Sequence, residues 1–113
     1  MADTLLDLLP MHEPELPHEA TLLERAQAFH EANPKVYREL RRLSLQLVAR
    51  GHRHFGVKML IEQMRWTWYE RTVDVSGFKI NNSYASFYAR LLAENEPELT
   101  GVFTMRTSMM EGQ

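Results

Sequence analysis

The chain has 113 residues, 44% of them hydrophobic and 25% charged, with no cysteine and a formal net charge of −2. That length and apolar content give one domain with one core and exclude a wholly disordered chain. The missing cysteine excludes disulfides, thiol catalysis and Cys-based zinc or iron–sulfur sites. The small net charge conceals three blocks. Residues 1–34 hold seven acids and one base, residues 35–92 eleven bases and four acids, and residues 93–113 four acids and one base, which is −6, +7 and −3. A basic centre between acidic ends suits a body that meets phosphates. The same pattern serves an acidic arm that folds back over its own body.

Residues 1–20 contain three of the five prolines and little periodic pattern. They read as a flexible acidic arm, with Leu5-Leu6-Asp7-Leu8-Leu9 as one apolar turn able to dock on the body or on a partner. The first ten residues carry acids where a signal peptide carries bases, and no stretch approaches the roughly 20 apolar residues of a membrane span. The expectation is a soluble protein of the cytoplasm.

The domain proper is expected over residues 21–106, with 107–113 as a frayed tail. A first helix opens at Thr21, which stands three residues before Glu24 in capping-box spacing. Asn33-Pro34 ends it and starts a second helix, which runs to about Arg50 with Val36, Leu40, Leu43 and Leu47 inward and Gly51 as its stop. Arg38, Arg41 and Arg42 lie toward its outer side. After the loop Gly51–Gly56, a third helix places Val57, Leu60, Ile61, Met64 and Trp68 on one face. Thr72–Lys79 reads as a short strand or a bent connection. A fourth helix, Lys79–Leu92, is capped by Asn81 or Asn82 and aligns Tyr84, Phe87, Tyr88, Leu91 and Leu92. Thr100–Arg106 reads as a final strand.

The resulting fold class is mainly α: a compact four-helix domain with one or two short strands, winged-helix-like, with the fourth helix presented to a groove. The link of about ten residues between helices three and four exceeds the three or four of a standard helix-turn-helix. A winged-helix variant tolerates it, and so does a bundle unrelated to DNA.

Asn82, Ser86 and Arg90 recur at four-residue steps on the polar side of helix four. Asparagine can bond adenine and arginine guanine bidentately, so these three are the candidate base readers. Lys79, Arg53 and Lys58 are the candidate phosphate contacts, joined by Arg106 on the wing. The structural alternative is that Asn81 and Asn82 only cap the helix and that Arg90 pairs with Glu94. His52 and His54 form a pair with no clear third ligand, so no metal is expected. Trp66 points away from the Trp68 face, free to stack on a base, seal a partner interface or pack against the first helix. Arg65 beside Glu62 or Glu70 reads as a buried ion pair. The four acids of the basic centre lack nuclease spacing, and Asp74 with Lys79 lacks the second acid because Gly77 stands there. No phosphate loop or serine nucleophile motif occurs, so neither an enzyme nor a cofactor is expected.

Three blocks carry a resemblance: Gly56–Trp66 (GVKMLIEQMRW), Phe78–Tyr84 (FKINNSY) and Tyr88–Leu92 (YARLL), followed by Gly101-Val102-Phe103 and Arg106. Over roughly residues 25–106 the chain resembles a family of small, functionally uncharacterised proteins of bacteriophages, prophages and other mobile elements. The resemblance implies a phage or prophage setting and a single compact domain, and it transfers no catalytic residue or ligand. The expected function is that of a small phage or prophage DNA-binding protein. The alternative is an interaction module that binds and inhibits or redirects a host or phage protein, as an anti-defence factor does. A homodimer fits either, with Trp66 or the arm as contact.

Overall fold

The computed structural model describes residues 11–103. It contains four α-helices: α1 (Leu22–Ala32), α2 (Pro34–Ala49), α3 (Val57–Arg71) and α4 (Ala85–Asn95). Short 3-10 turns precede α4 (Asn82–Tyr84) and follow it (Pro97–Leu99).

The helix ends follow from local chemistry. At the start of α1 the Glu24 N–H donates to Thr21 Oγ1 (3.0 Å) and the Thr21 N–H donates to Glu24 Oε1 (2.8 Å), so two first-turn donors that the helix leaves unpaired are satisfied. Pro34 occupies the first turn of α2, where its missing N–H costs nothing. The α2 helix ends in reverse hydrogen bonds, Gly51 N–H to Val48 O (2.9 Å) and His52 N–H to Leu47 O (3.1 Å). They require a left-handed residue, and Gly51 supplies it at φ +101°. Before α4, Asn81 caps the 3-10 turn by accepting from the Ser83 N–H (2.8 Å).

The core forms where one stripe of each helix meets α4, which packs against α1, α3 and both 3-10 turns. Ala26 and Phe29 come from α1, Val36 and Leu40 from α2, and Val57, Leu60, Ile61, Met64 and Trp68 from α3. They close on Tyr84, Phe87, Tyr88 and Leu92. Leu99, Val102 and Phe103 seal the end, with Phe103 edge-on to Phe55 at 5.5 Å between ring centroids. Each large apolar side chain buried here contributes about 1.5–3 kcal/mol relative to exposure.

No strand occurs among the described residues, where the arrangement is a plain helical one and the expected wing finds no support. In Thr72–Lys79 polar side chains take the backbone groups that a strand would pair. The Asp74 N–H donates to Thr72 Oγ1 (3.1 Å), and Asp74 Oδ1 accepts from the Ser76 N–H (3.1 Å) and hydroxyl (2.6 Å). Val73 is fully exposed instead of facing a sheet partner. In Thr100–Arg106 the described part is a turn, with Gly101 at φ +82° and the Val102 N–H bonded to Leu99 O (3.1 Å). Residues 104–106 lie outside the described residues, as do 1–10 and the tail 107–113.

The second half of the acidic arm meets the body. Met11 is buried; its N–H donates to Gly77 O (3.3 Å) and its sulfur accepts from the Lys79 N–H (3.4 Å). The His12 N–H donates to Asn33 Oδ1 (2.8 Å) and the His12 carbonyl accepts from Asn33 Nδ2 (2.6 Å). The Tyr84 hydroxyl donates to Glu13 Oε2 (3.0 Å). Three consecutive residues thus tie the connector, the α1–α2 junction and the approach to α4 together. The Asn33 side chain faces this segment and does not cap α2.

Candidate functional site

The residues of the FKxNN block meet the middle of α3. Arg65 donates from Nη2 to Ile80 O (2.9 Å) and from Nη1 to Asn82 Oδ1 (3.3 Å), and pairs with Glu62 at 2.9 Å. Its guanidinium also lies 5.2 Å from the Phe78 ring centroid. Asn82 in turn donates from Nδ2 to Glu62 Oε2 (2.7 Å). That bond, followed by the Arg65 pairing, holds the Glu62 carboxyl below the usual carboxylate range. The Arg65–Glu62 pair is half-exposed, at 28% and 51% for the two side chains, and not buried. A rigid fork that bonds a carbonyl, an amide and a carboxylate while stacking on a ring is arginine chemistry. Both ends of the Asn82 amide are engaged in this latch, so base reading by Asn82 requires giving up its present partners.

A second locus sits at the start of α3. A cleft of about 540 Å³ runs between the loop before α3 and the first turns of α4. His54, Gly56 and Val57 line one side, Ser86 and Ala89 the other, and Phe103 closes it. Three exposed cations each stand next to a lining residue along the chain: Arg53 beside His54, Lys58 beside Val57, and Arg90 beside Ala89. The lining holds no carboxylate. Gly56 leaves the α3 N-terminus without a side-chain cap, so first-turn N–H groups add partial positive charge there.

Of the expected contacts, Ser86 lines this cleft, and Arg53, Lys58 and Arg90 are exposed residues next along the chain to lining ones. Lys79 belongs to the connector, where its backbone N–H bonds the Met11 sulfur. Arg106 lies outside the described residues. On α2 two of the outer cations are neutralised. Arg42 makes a bidentate pair with the buried Glu39 (2.9 and 2.6 Å), and Arg41 pairs with Glu96 at 2.8 Å. Among the described residues no three His, Asp or Glu side chains form a metal-binding group, and no helix is long and apolar enough to cross a membrane.

Sequence reasoning set Trp66 apart from the core stripe of α3 but missed that Met59 and Tyr69 share its face. Met59 (52% exposed), Trp66 (64%) and Tyr69 (58%) lie on the side opposite the core stripe. The signal was present, since α3 is apolar on two faces while a surface helix carries one stripe. The chain matches no protein-family model, no curated protein and no solved structure.

Proposed function

We propose that the protein binds duplex DNA, contacting its phosphate backbone at the cleft between the loop before α3 and α4. The observation that carries this reading is one carboxylate-free cleft lined by His54 and Ser86, with the exposed Arg53, Lys58 and Arg90 each next along the chain to a lining residue. In this reading the neighbouring arginines and lysine supply charge, and Ser86 with the open N–H groups of α3 supplies directional donors to phosphate oxygens. Of the three base readers first considered, Asn82 is withdrawn to the Arg65 latch. Binding in this reading is therefore dominated by backbone contacts. The setting is that of the phage and prophage proteins whose FKxNN and YAR blocks this chain resembles, in the cytoplasm of a bacterial host.

The test is fluorescence anisotropy with a labelled mixed-sequence duplex over a range of salt. Each neutralised phosphate releases counterions, so log affinity falls linearly with log salt, by about 0.9 per contact. Arg53→Ala, Lys58→Ala and Arg90→Ala each weaken binding uniformly across sequences and reduce the slope by about 1. Absence of any binding at about 50 mM salt removes the proposal.

The other reading is an interaction module that binds and redirects a host or phage protein. The outward face of α3 favours it, because aromatic and methionine side chains are enriched at interface centres.

A further inference from the structure

Residues 11–17 form neither helix nor strand, and what fixes residues 11–13 comes from the helical body. One amide, that of Asn33, takes both backbone groups of His12, at 2.8 and 2.6 Å. The Met11 N–H donates to Gly77 O (3.3 Å). The Met11 side chain is buried, and its sulfur accepts the Lys79 N–H (3.4 Å). The Glu13 carboxylate accepts from the Tyr84 hydroxyl (3.0 Å). His12, between them, is exposed. First and third side chains turned to the body, with the middle one in solvent, is the alternation of an extended peptide.

These are the contacts by which domains bind short peptides: main-chain hydrogen bonds give affinity, and seats for alternate side chains give selectivity. The slot draws on three places, the α1–α2 junction (Asn33), the connector (Gly77 and Lys79) and the turn before α4 (Tyr84). The Thr21–Glu24 cap and the latch of Arg65 with Ile80 and Asn82 use none of residues 11–13. The strap is therefore suited to open locally while the helices stay folded. Arg25, which acts electrostatically on the Tyr84 hydroxyl, adds positive charge beside the seat of the acid.

We propose that residues 11–13 are the resident ligand of a peptide-recognition slot, and that the slot takes, from a different protein, a segment with methionine or leucine two residues before a carboxylate. The tether argues against a second copy as the occupant. Only residues 14–20 separate the strap from Thr21, and Arg25 holds that link at the carbonyls of Pro17 (3.0 Å) and His18 (3.2 Å). A short tether presents the strap at a local concentration on the order of mM, far above a second copy with the same three residues. A displacing partner matches the tripeptide and adds contacts of its own. This inference does not depend on the DNA reading.

The test opens the strap in the full chain and offers its sequence in trans. Met11→Asp puts a charge into the apolar seat and leaves every slot residue in place. The probe is a fluorescein-labelled peptide of residues 11–16, acetylated to keep its first N–H, read by fluorescence anisotropy. The opened chain binds it, and the wild type binds it at least about tenfold more weakly because the tethered strap competes. Asn33→Ala in the opened chain, or Glu13→Lys in the peptide, lowers the affinity at least about tenfold. Met11→Ala is the milder second variant should Met11→Asp lose its helical circular dichroism. Loss of that signal in both overturns the proposal, because residues 11–13 then belong to the fold and are no ligand. Equal binding to opened and wild-type chains overturns it, as does no binding to a folded opened chain at about 1 mM peptide. A wild-type dimer that Met11→Asp converts to monomer assigns the slot to a second copy's strap and overturns the assignment to a different protein.

Discussion

The Asn33 side chain makes three hydrogen bonds, two with the His12 backbone and one to Phe29 O at 2.9 Å, from a position that is 7% exposed. The Asn-Pro dipeptide announces a helix boundary, and the boundary is there. The amide, however, is spent on fastening residues 11–13 and on the last turn of α1. Asn33→Ala leaves the His12 N–H, the His12 carbonyl and Phe29 O to find other partners at a site with little water, which costs about 1–3 kcal/mol. Asn33→Asp keeps the acceptor and loses both donors, while setting a negative charge beside two carbonyls, so it is at least as damaging. Urea unfolding measures the loss. Limited proteolysis adds a signature specific to the site, faster cutting between His12 and Pro17, because the clamp holding that segment is gone. A loss below about 0.5 kcal/mol with an unchanged cutting pattern removes the clamp assignment.

At the level of elements, periodicity located all four helices because their core stripes repeat at helical steps. Capping rules found the start of α1 and the end of α2 because those ends rest on contacts three or four residues apart. Gly51 gives a direct measure of one of them. At φ +101° a side chain is strained even though nothing lies within 4 Å of its Cβ position. Gly51→Ala therefore lowers stability by about 1–2 kcal/mol with no clash involved, and thermal unfolding reads it. The strand expected in Thr72–Lys79 failed for a reason of the same short range. In Thr72–Ser76 the side chains of Thr72 and Asp74 close their own turns, and alternation of Val73 with Val75 carried no information about a sheet partner. The latch of Arg65, Ile80 and Asn82 was illegible because it joins residues 15 to 17 positions apart. The Asn82–Ser86–Arg90 row was read as one face of a continuous helix. In the fold Asn82 sits in a 3-10 turn before α4, which rotates it away from Ser86 and toward α3. Ser86 and Arg90 remain on the exposed side of α4, so part of the candidate site was visible in the sequence and its cleft was not.

The whole molecule should be most stable across a neutral-to-alkaline plateau, and the edges of that plateau belong to named groups. Burial lowers the His30 pKa below its usual 6.5, opposed by Glu31, with the ring set among Tyr37, Phe87 and Tyr88 at 5.7–5.9 Å between centroids. The folded state then binds the proton less readily than the unfolded chain, so stability present above pH 6.5 is lost as pH falls toward the folded value. The Glu62 and Asp74 carboxyls are also held low, by Asn82 and by the Ser76 hydroxyl respectively, and their contribution is lost only further down, below about 4.5 and 3.8. At the other edge burial raises Tyr84 to about 12, reinforced by Glu13, and raises fully buried Tyr88 as well. A raised pKa favours the neutral folded form, so this stability is intact below pH 10 and declines above it. Thermal melts across pH should therefore show a flat Tm from about pH 7 to 9.5 with losses on both sides. His30→Phe separates the acid-side causes. The phenyl ring keeps the aromatic contacts without a titrating nitrogen, so the decline that begins below about pH 6.5 disappears while the deeper carboxylate loss remains. An unchanged acid limb in that variant would assign the decline to groups other than His30.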